Sequence, residues 1–159
     1  MNAKSLHSKI VDEVLPLFAE KLEQEGVISE YNRRPFRIPL VQNGSPYEVR
    51  PDLVLVLPNG QTIITKITNP KDRERFIGEI AYSQILWNLQ KIAAAVLFVL
   101  KYAGVGARDK RIFEAPIISK TIGTMPNRRM LFTWSSEEDV NYHNLKTFLQ
   151  NMLQKGGAL

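Results

Sequence analysis

Apolar residues at the start of the chain repeat with the period of an α-helix. Five of them recur at four-residue intervals: Leu6, Ile10, Val14, Phe18 and Leu22. This spacing predicts one amphipathic helix that ends near Gly26. Pro16 lies inside this helix and predicts a kink or a break, because proline lacks the N–H group that a helix interior needs.

The pattern then changes to that of strands. Residues 36–41 alternate between apolar and polar, and residues 47–57 pass from alternation into a continuous apolar run. Residues 61–68 follow after the turn signal Pro58-Asn59-Gly60. We therefore predict three consecutive strands, the second extending from Tyr47 to Leu57, with residues 32–35 as a basic loop before them.

Helical and strand patterns alternate in the rest of the chain. Asn69-Pro70 suits a helix start, because Asn caps well and Pro fits the first helical position. The predicted buried face of this helix consists of Phe76, Ile77, Ile80, Ala81, Ile85 and Leu89. Residues 93–100 predict a buried strand, parallel to the previous one because a helix connects the two. Residues 129–134 predict a last strand, and Ser135-x-x-Glu138 predicts a capping box for a final helix.

These elements predict an α/β fold with a central mixed sheet flanked by helices. A length of 159 residues, without repeats or a linker, fits a single domain. The absence of cysteine excludes disulfides and thiolate chemistry and suits a reducing compartment. The N-terminus lacks the apolar core of a signal peptide, and the longest apolar run falls well short of the ~20 residues that span a bilayer. We therefore expect a cytoplasmic protein with no membrane partner.

Charge adds a candidate partner. The chain has 21 Lys and Arg against 16 Asp and Glu, a net charge of +5. This excess favours a polyanion such as DNA. Several basic residues fall in predicted loops or near element ends, where phosphate contacts are common: Arg33, Arg34, Arg37, Arg50, Lys71, Arg73, Arg108, Lys110 and Arg111.

Asp52 and Lys66 are the candidates for chemistry, because they lie on two strands that a tight turn connects. A divalent cation needs carboxylate oxygens, and it stabilises the charge that develops during phosphodiester hydrolysis. A neighbouring ammonium group stabilises the same charge. A complete site of this kind needs a second acid.

The order of the elements, together with Pro51-Asp52 and Lys66, resembles the PD-(D/E)xK nuclease superfamily, which has the restriction-endonuclease-like fold. The resemblance covers about residues 5–102, and residues 129–155 would be family-specific. It implies a deoxyribonuclease with Mg²⁺ or Mn²⁺ bound by Asp52 and a second acid, and with Lys66 at the attacking water. It also implies a homodimer that cuts both strands, or a larger nucleic-acid-processing assembly.

The family's second acid has no direct counterpart here. Ile64 stands at its position two residues before Lys66, and in a shifted register Lys66 and Thr68 would replace the acid and the lysine. Periodicity does not choose between these registers, because all three residues share one strand face. Some restriction enzymes of this pattern carry the acid on the following helix, which points to Glu79.

Other residues are weaker candidates. Glu48 and Glu13 are possible further ligands, although Glu13 also fits a solvated helix face. Tyr82 and Gln84 resemble accessory residues that RecB-type nuclease domains place near the cleft. Two functions remain open. One is a Mg²⁺-dependent endonuclease that uses Asp52, Glu79 and Lys66, and the other is a catalytically inactive nuclease-fold domain that binds DNA or a protein.

Overall fold

The computed structural model of the chain describes residues 3–38, 47–69, 73–100, 120 and 122–157. The helices are α1 (Ala3–Lys9), α2 (Leu15–Gln24), α3 (Arg73–Asn88) and α4 (Glu138–Gly157), and a π-helical turn (Ile10–Val14) joins α1 to α2. The strands are β1 (Glu30–Asn32), β2 (Phe36–Ile38), β3 (Tyr47–Val49), β4 (Leu53–Val56), β5 (Thr62–Thr68), β6 (Ala94–Val99) and β7 (Arg129–Thr133).

Five of these strands form a mixed sheet in the order β1-β4-β5-β6-β7. The β1–β4 and β4–β5 pairs are antiparallel, whereas β5–β6 and β6–β7 are parallel. Strands β2 and β3 form a separate antiparallel pair. The predicted α/β class, with helices flanking a mixed sheet, is therefore confirmed.

The two faces of the five-stranded sheet pack against different helices. Alternate residues of a strand point to opposite faces. Leu55, Ile63 and Ile67 join a large buried cluster with residues of α2, α4 and the π-helical turn; we call this side the closed face. Val54 and Ile64 instead belong to a smaller cluster that includes Leu86 of α3; we call this side the cleft face.

Two predictions about the strands are wrong. Residues 47–57 form two strands in different sheets, interrupted at Arg50-Pro51, because proline has no N–H group to continue a strand ladder. The short strand β1, which pairs with β4, was not predicted. It includes Asn32, the first residue of the segment predicted as a loop.

The predicted buried face of α3 is also wrong in part. Phe76 and Ile80 are buried, but Ile77, Ile85 and Leu89 are 37%, 38% and 45% exposed. Ser83, Gln84 and Leu86 occupy buried positions on the helix instead. Helix α3 has apolar side chains on more than one side, so the helical period alone did not identify the side that faces the sheet.

The predicted interruption at Pro16 is a widened helical turn. The N–H of Leu15 donates to the carbonyl of Ile10, five residues earlier, which is the hydrogen bond of a π-helix. Pro16 then lies at the start of α2, where a missing N–H costs little. The first helical segment therefore changes its winding just before the proline.

The predicted final helix is confirmed as α4, which begins at Glu138. Ser135 Oγ accepts a hydrogen bond from the Glu137 N–H at 3.1 Å. The Asn141 side chain accepts from the Ser135 N–H and donates to the Ser135 carbonyl, both at 2.8 Å. Within the described residues, no helix has the combined length and apolar character needed to cross a bilayer.

Candidate active site

Asp52 and Lys66 meet on the cleft face at the end of the β4–β5 pair. Their Oδ1 and Nζ atoms are 3.5 Å apart, and both side chains are largely buried. Asp52 Oδ2 accepts a hydrogen bond from the Ile67 N–H at 2.6 Å. The Asp52 N–H donates to the Thr65 carbonyl at 3.0 Å. The backbone of β5 therefore fixes the carboxylate beside the lysine.

Lys66 also approaches the Arg50 carbonyl, with a distance of 3.4 Å from Nζ to the oxygen. The side chain of Ile64 lines the same cleft as Lys66, and this residue is only 4% exposed. The position that would carry the acid in the direct register is thus apolar and packed. Any second carboxylate of the site has to come from another element.

Glu79 on α3 supplies a carboxyl group to the cleft. Its side chain is only 9% exposed, and its Oε1 lies 3.6 Å from Arg75 Nε, one helical turn earlier. The Oε2 atom is buried without a hydrogen-bond partner among the described residues. A buried oxygen without a partner is costly, and it is the kind of atom that a cation or a bound water satisfies.

Burial raises the pKa of Glu79 to about 7. The Thr68 hydroxyl and the positive charges of Lys66 and Arg75 act in the opposite direction and lower this pKa, whereas Asp52 raises it further. The Thr68 hydroxyl lies near the carboxyl group without the geometry of a hydrogen bond. The Glu79 carboxyl group therefore titrates near neutral pH, and its pKa depends on the charges of Asp52 and Lys66.

A cleft of about 240 Å³ lies between α3, β5 and the segment that begins with β3. Its charged lining residues are balanced in number: Arg50, Lys66 and Arg75 against Glu48, Glu74 and Glu79. Glu48 and Arg50 neutralise each other through an ion pair of 2.9 Å. Without a bound cation, the described lining therefore gives a phosphate group little net attraction.

Two tyrosines lie in the same cleft. The Tyr82 hydroxyl donates to the Tyr47 hydroxyl at 2.9 Å, and the ring centroids are 5.2 Å apart. This hydrogen bond raises the pKa of Tyr82, and burial and the charge of Glu79 raise it further. The sequence indicates Tyr82 as an accessory candidate but contains no local signal for Tyr47. It opens a short strand, and only the tertiary structure brings it to α3.

Gln84 lies outside the cleft lining and binds another part of the chain. Its Nε2 donates to Asn88 Oδ1 and to the Thr124 carbonyl, and its Oε1 accepts from Arg129. Burial lowers the pKa of the Arg129 guanidinium. Gln84 therefore joins α3 to the segment before β7.

The remaining candidates are dispersed. Glu13 is exposed on the π-helical turn and is not among the residues that line the cleft. Arg33 contacts Asp12 and the Val11 carbonyl, and the Arg34 guanidinium lies over the Phe36 ring. Arg37 is opposite Glu48 in the β2–β3 pair. Lys71, Arg108, Lys110, Arg111 and the side chain of Arg73 lie outside the described part of the chain.

The residues present fit a hard divalent cation in part. Asp52 and Glu79 offer two carboxylates, and Glu79 Oε2 has no other partner in the described structure. No cluster of three or more potential ligands from His, Cys, Asp and Glu occurs within the described ranges. A cation with two protein carboxylates keeps several waters, which is common for Mg²⁺.

Comparisons with protein-family models, curated proteins and solved structures gave no match to this chain. Its functional interpretation therefore rests on the cleft, which Lys66 and Glu79 line and where Lys66 pairs with Asp52.

Proposed function

We propose that this chain is a DNA-binding nuclease-like protein that hydrolyses phosphodiester bonds with Mg²⁺ or Mn²⁺. In this proposal it is a restriction-endonuclease-like domain of the PD-(D/E)xK type whose second acid has moved to α3. One observation carries the proposal: in the cleft that holds Lys66, which pairs with Asp52, Glu79 places a buried carboxyl oxygen that has no hydrogen-bond partner in the described part of the chain.

In the proposed site, Asp52 and Glu79 hold the cation. Each carboxylate oxygen has two lone pairs, so Asp52 can keep its contacts with Lys66 and the Ile67 N–H while it binds metal. A bound divalent cation lowers the pKa of a coordinated water and stabilises negative charge on the phosphate. Glu79 must lose its proton to act as a ligand, and its pKa of about 7 allows this near neutral pH.

Lys66 and the arginines act on the phosphate in the proposed mechanism. Lys66 is held by Asp52 and the Arg50 carbonyl at the cleft, so its ammonium group is positioned before substrate arrives. There it orients the attacking water and stabilises charge on the phosphoryl oxygens. Arg50 is 74% exposed at the side-chain level and Arg75 is 65% exposed, so both are accessible to neighbouring phosphates.

The balanced charge of the cleft makes DNA binding at this site dependent on the cation. Three basic residues face three acidic residues in the lining, so a divalent cation shifts the balance towards attraction of phosphate. We therefore expect chelation of the metal to weaken binding in the cleft as well as cleavage.

Cleavage of supercoiled plasmid and of a branched DNA junction, with Mg²⁺ or Mn²⁺, tests the proposal. Asp52→Asn and Glu79→Gln keep the side-chain size but weaken the proposed ligands, and we expect each to lower the cleavage rate by about 100-fold or more. Glu30→Gln is the control, because Glu30 is an exposed acid on β1 and is not among the residues that line the cleft. Metal-dependent cleavage that survives Glu79→Gln would remove Glu79 from the site and leave Glu48 as the acid to test.

A second candidate function is a catalytically inactive nuclease-fold domain that binds DNA or a partner protein. The packed side chain of Ile64 favours it, since this is the residue two positions before Lys66. DNA binding that resists EDTA, without cleavage at any metal concentration, would support this function. Ile64→Glu then tests whether the absence of an acid at this position causes the inactivity. If it does, the carboxylate introduced there would give metal-dependent cleavage.

The proposed endonuclease would act as a homodimer, with one cleft for each strand of a duplex. Light scattering measures the mass in solution with and without DNA. A monomer that nicks a single strand of plasmid would retain the hydrolytic proposal and overturn the dimer.

A further inference from the structure

Tyr47 and Tyr82 form an aromatic pair that the hydrolytic chemistry does not use. Their rings are tilted by 30°, and their hydroxyl groups are hydrogen-bonded. Tyr47 still has 41% of its surface exposed, although it packs on Tyr82. A large aromatic side chain at the edge of a cleft therefore has surface available for a ligand.

The pair is held from the α3 side. Tyr82 lies one turn after Gly78, and a Cβ atom added to Gly78 would be 3.8 Å from the Tyr82 ring. Both residues line the cleft, so the ring lies close to a stretch of backbone without a side chain. The ring and the hydroxyl group of Tyr82 both contact Tyr47, which lies on the separate β2–β3 sheet. Tyr82 thereby fixes the orientation of a residue on another element.

We propose that Tyr47 stacks on an unpaired nucleobase of a single-stranded DNA segment, and that Tyr82 is the positioning residue that orients Tyr47. This inference rests on the proposed function and names its substrate class: DNA with a single-stranded region at the cleft. Every base has a π-face that can stack on an aromatic ring, whereas the faces of bases within a duplex are covered by their neighbours.

Size and charge agree with one base at this position. The cleft volume of about 240 Å³ is below the roughly 300–1,000 Å³ of pockets that enclose drug-sized ligands, so it suits one base-sized group. Arg50 and Lys66 lie in the same lining and would contact the phosphates that flank a stacked base. The arrangement combines an aromatic platform with cations, as in sites that bind single-stranded nucleic acid.

Fluorescence anisotropy with two labelled probes tests the stacking. One probe is a short oligothymidylate, and the other is an abasic oligonucleotide of the same length, which has the same phosphates but no bases. The titrations are done in Ca²⁺, a hard cation with the same preference for oxygen ligands, and again in EDTA. We expect the wild-type chain to bind the oligothymidylate about 5- to 100-fold more tightly than the abasic probe.

Three variants separate the contribution of base stacking to affinity from that of phosphate binding. Tyr47→Leu should remove the preference for the oligothymidylate and leave the affinity for the abasic probe unchanged. Tyr82→Phe keeps the ring and loses the hydroxyl, so we expect it to reduce the preference only in part. Tyr31→Leu is the matched control, because Tyr31 is 37% exposed on β1 and is not part of the cleft lining; it should change neither affinity. Thermal unfolding of each variant checks that the fold is intact.

Equal binding of the two probes by the wild-type chain, or an equal loss for both in Tyr47→Leu, would overturn the stacking. A chain that cleaves plasmid but does not distinguish the probes overturns this inference alone. A chain that distinguishes them through Tyr47 but never cleaves DNA overturns the hydrolytic proposal and supports the stacking. The two failures are therefore separable.

Discussion

The two faces of the five-stranded sheet differ in the size of the apolar clusters that they bury. On the closed face, α2, α4 and the π-helical turn bury a single large apolar cluster. On the cleft face, the buried residues divide into two smaller clusters, and the cleft with Lys66 and Glu79 lies beside them. The same strands, through alternate residues, thus supply a continuous core on one side and a polar site on the other.

This contrast shows where stability and chemistry are placed. Apolar burial on the closed face stabilises the domain, and the buried Thr65 hydroxyl, which strand alternation places on this side, carries no charge. The cleft face keeps a buried carboxyl group, one oxygen of which has no hydrogen-bond partner among the described residues, and this costs free energy. The closed face therefore offsets the cost of the site on the other side of the sheet.

The largest expected effect compares one leucine from each face. Leu145 of α4 and Leu86 of α3 are both fully buried, so Leu145→Ala and Leu86→Ala remove the same atoms. We expect Leu145→Ala to cost about 4 kcal/mol and Leu86→Ala about 1 kcal/mol less, because the smaller cluster can relax more easily. Urea unfolding measures both. Equal losses, or a larger loss for Leu86→Ala, would contradict the contrast between the faces.

The next effect concerns the anchoring of Asp52. Asp52→Ala removes the acceptor of the Ile67 N–H and the carboxylate that pairs with the Lys66 ammonium, and we expect a loss of about 3 kcal/mol. Asp52→Asn keeps an oxygen for the N–H group, so its loss should be about 1 kcal/mol. Unfolding free energies of the two variants test this difference. Identical losses would mean that the hydrogen bond to Ile67 contributes little.

Glu79 should give a smaller effect whose size depends on pH. The pKa of this carboxyl group is about 7 in the folded chain against 4.5 for an unperturbed glutamate, so between these values the folded state binds more protons. Stability therefore falls as pH rises from 4.5 to about 7, and it remains lower above that. We expect Glu79→Gln to be neutral at pH 4 and stabilising by about 2 kcal/mol at pH 8, which denaturation at the two pH values measures.

Metal extends this test of Glu79. Saturating Mg²⁺ at pH 8 should stabilise the wild-type chain, because the cation binds the folded state, and it should have much less effect on Glu79→Gln. The apparent Mg²⁺ affinity should fall about tenfold per pH unit below about pH 7, where Glu79 is protonated. An affinity that does not change between pH 6 and pH 8 would argue against Glu79 as a ligand.

The smallest effect is expected on the exposed side of α3. Ile85 is 38% exposed, although the helical period predicts it to be buried. Ile85→Gln should change the unfolding free energy by no more than about 0.5 kcal/mol, as is usual for exposed sites. Ile80→Gln is the comparison, because Ile80 is buried and should cost several times more. A large loss for Ile85→Gln would show that this side of the helix is covered.

The sequence was sufficient for elements with strong local signals. Residue types and spacing predict the turn at Pro58-Asn59-Gly60, the helix Arg73–Asn88 and the two later strands, whereas the predicted helix start at Pro70 lies outside the described residues. Gly60 has a φ of 87°, which is why glycine suits that turn. The β1 strand has only three residues, and its pairing with β4 is a contact distant in the sequence, so no local pattern indicated it.

The candidate site was predictable to a similar extent. The proximity of Asp52 to Lys66 follows from the hairpin, since Leu53 pairs with Thr65 and the next pair continues the register. The family resemblance points to Glu79, whereas the burial of Glu79 depends on the packing of α3 against the sheet. Neither the contact of Tyr47 with Tyr82 nor that of Gln84 with Arg129 has a local signal, because each joins elements far apart in the chain.

The separation of β2 and β3 from the main sheet has a consequence for motion. One wall of the cleft belongs to the five-stranded ladder, whereas the wall with Tyr47 belongs to a pair of three-residue strands held to α3 by side chains. Amide hydrogen exchange in β2 and β3 should therefore be faster than in β5 and β6, whose protection follows global unfolding. Local opening of this short pair would widen the entrance, because Asp52 and Lys66 are anchored to the five-stranded sheet.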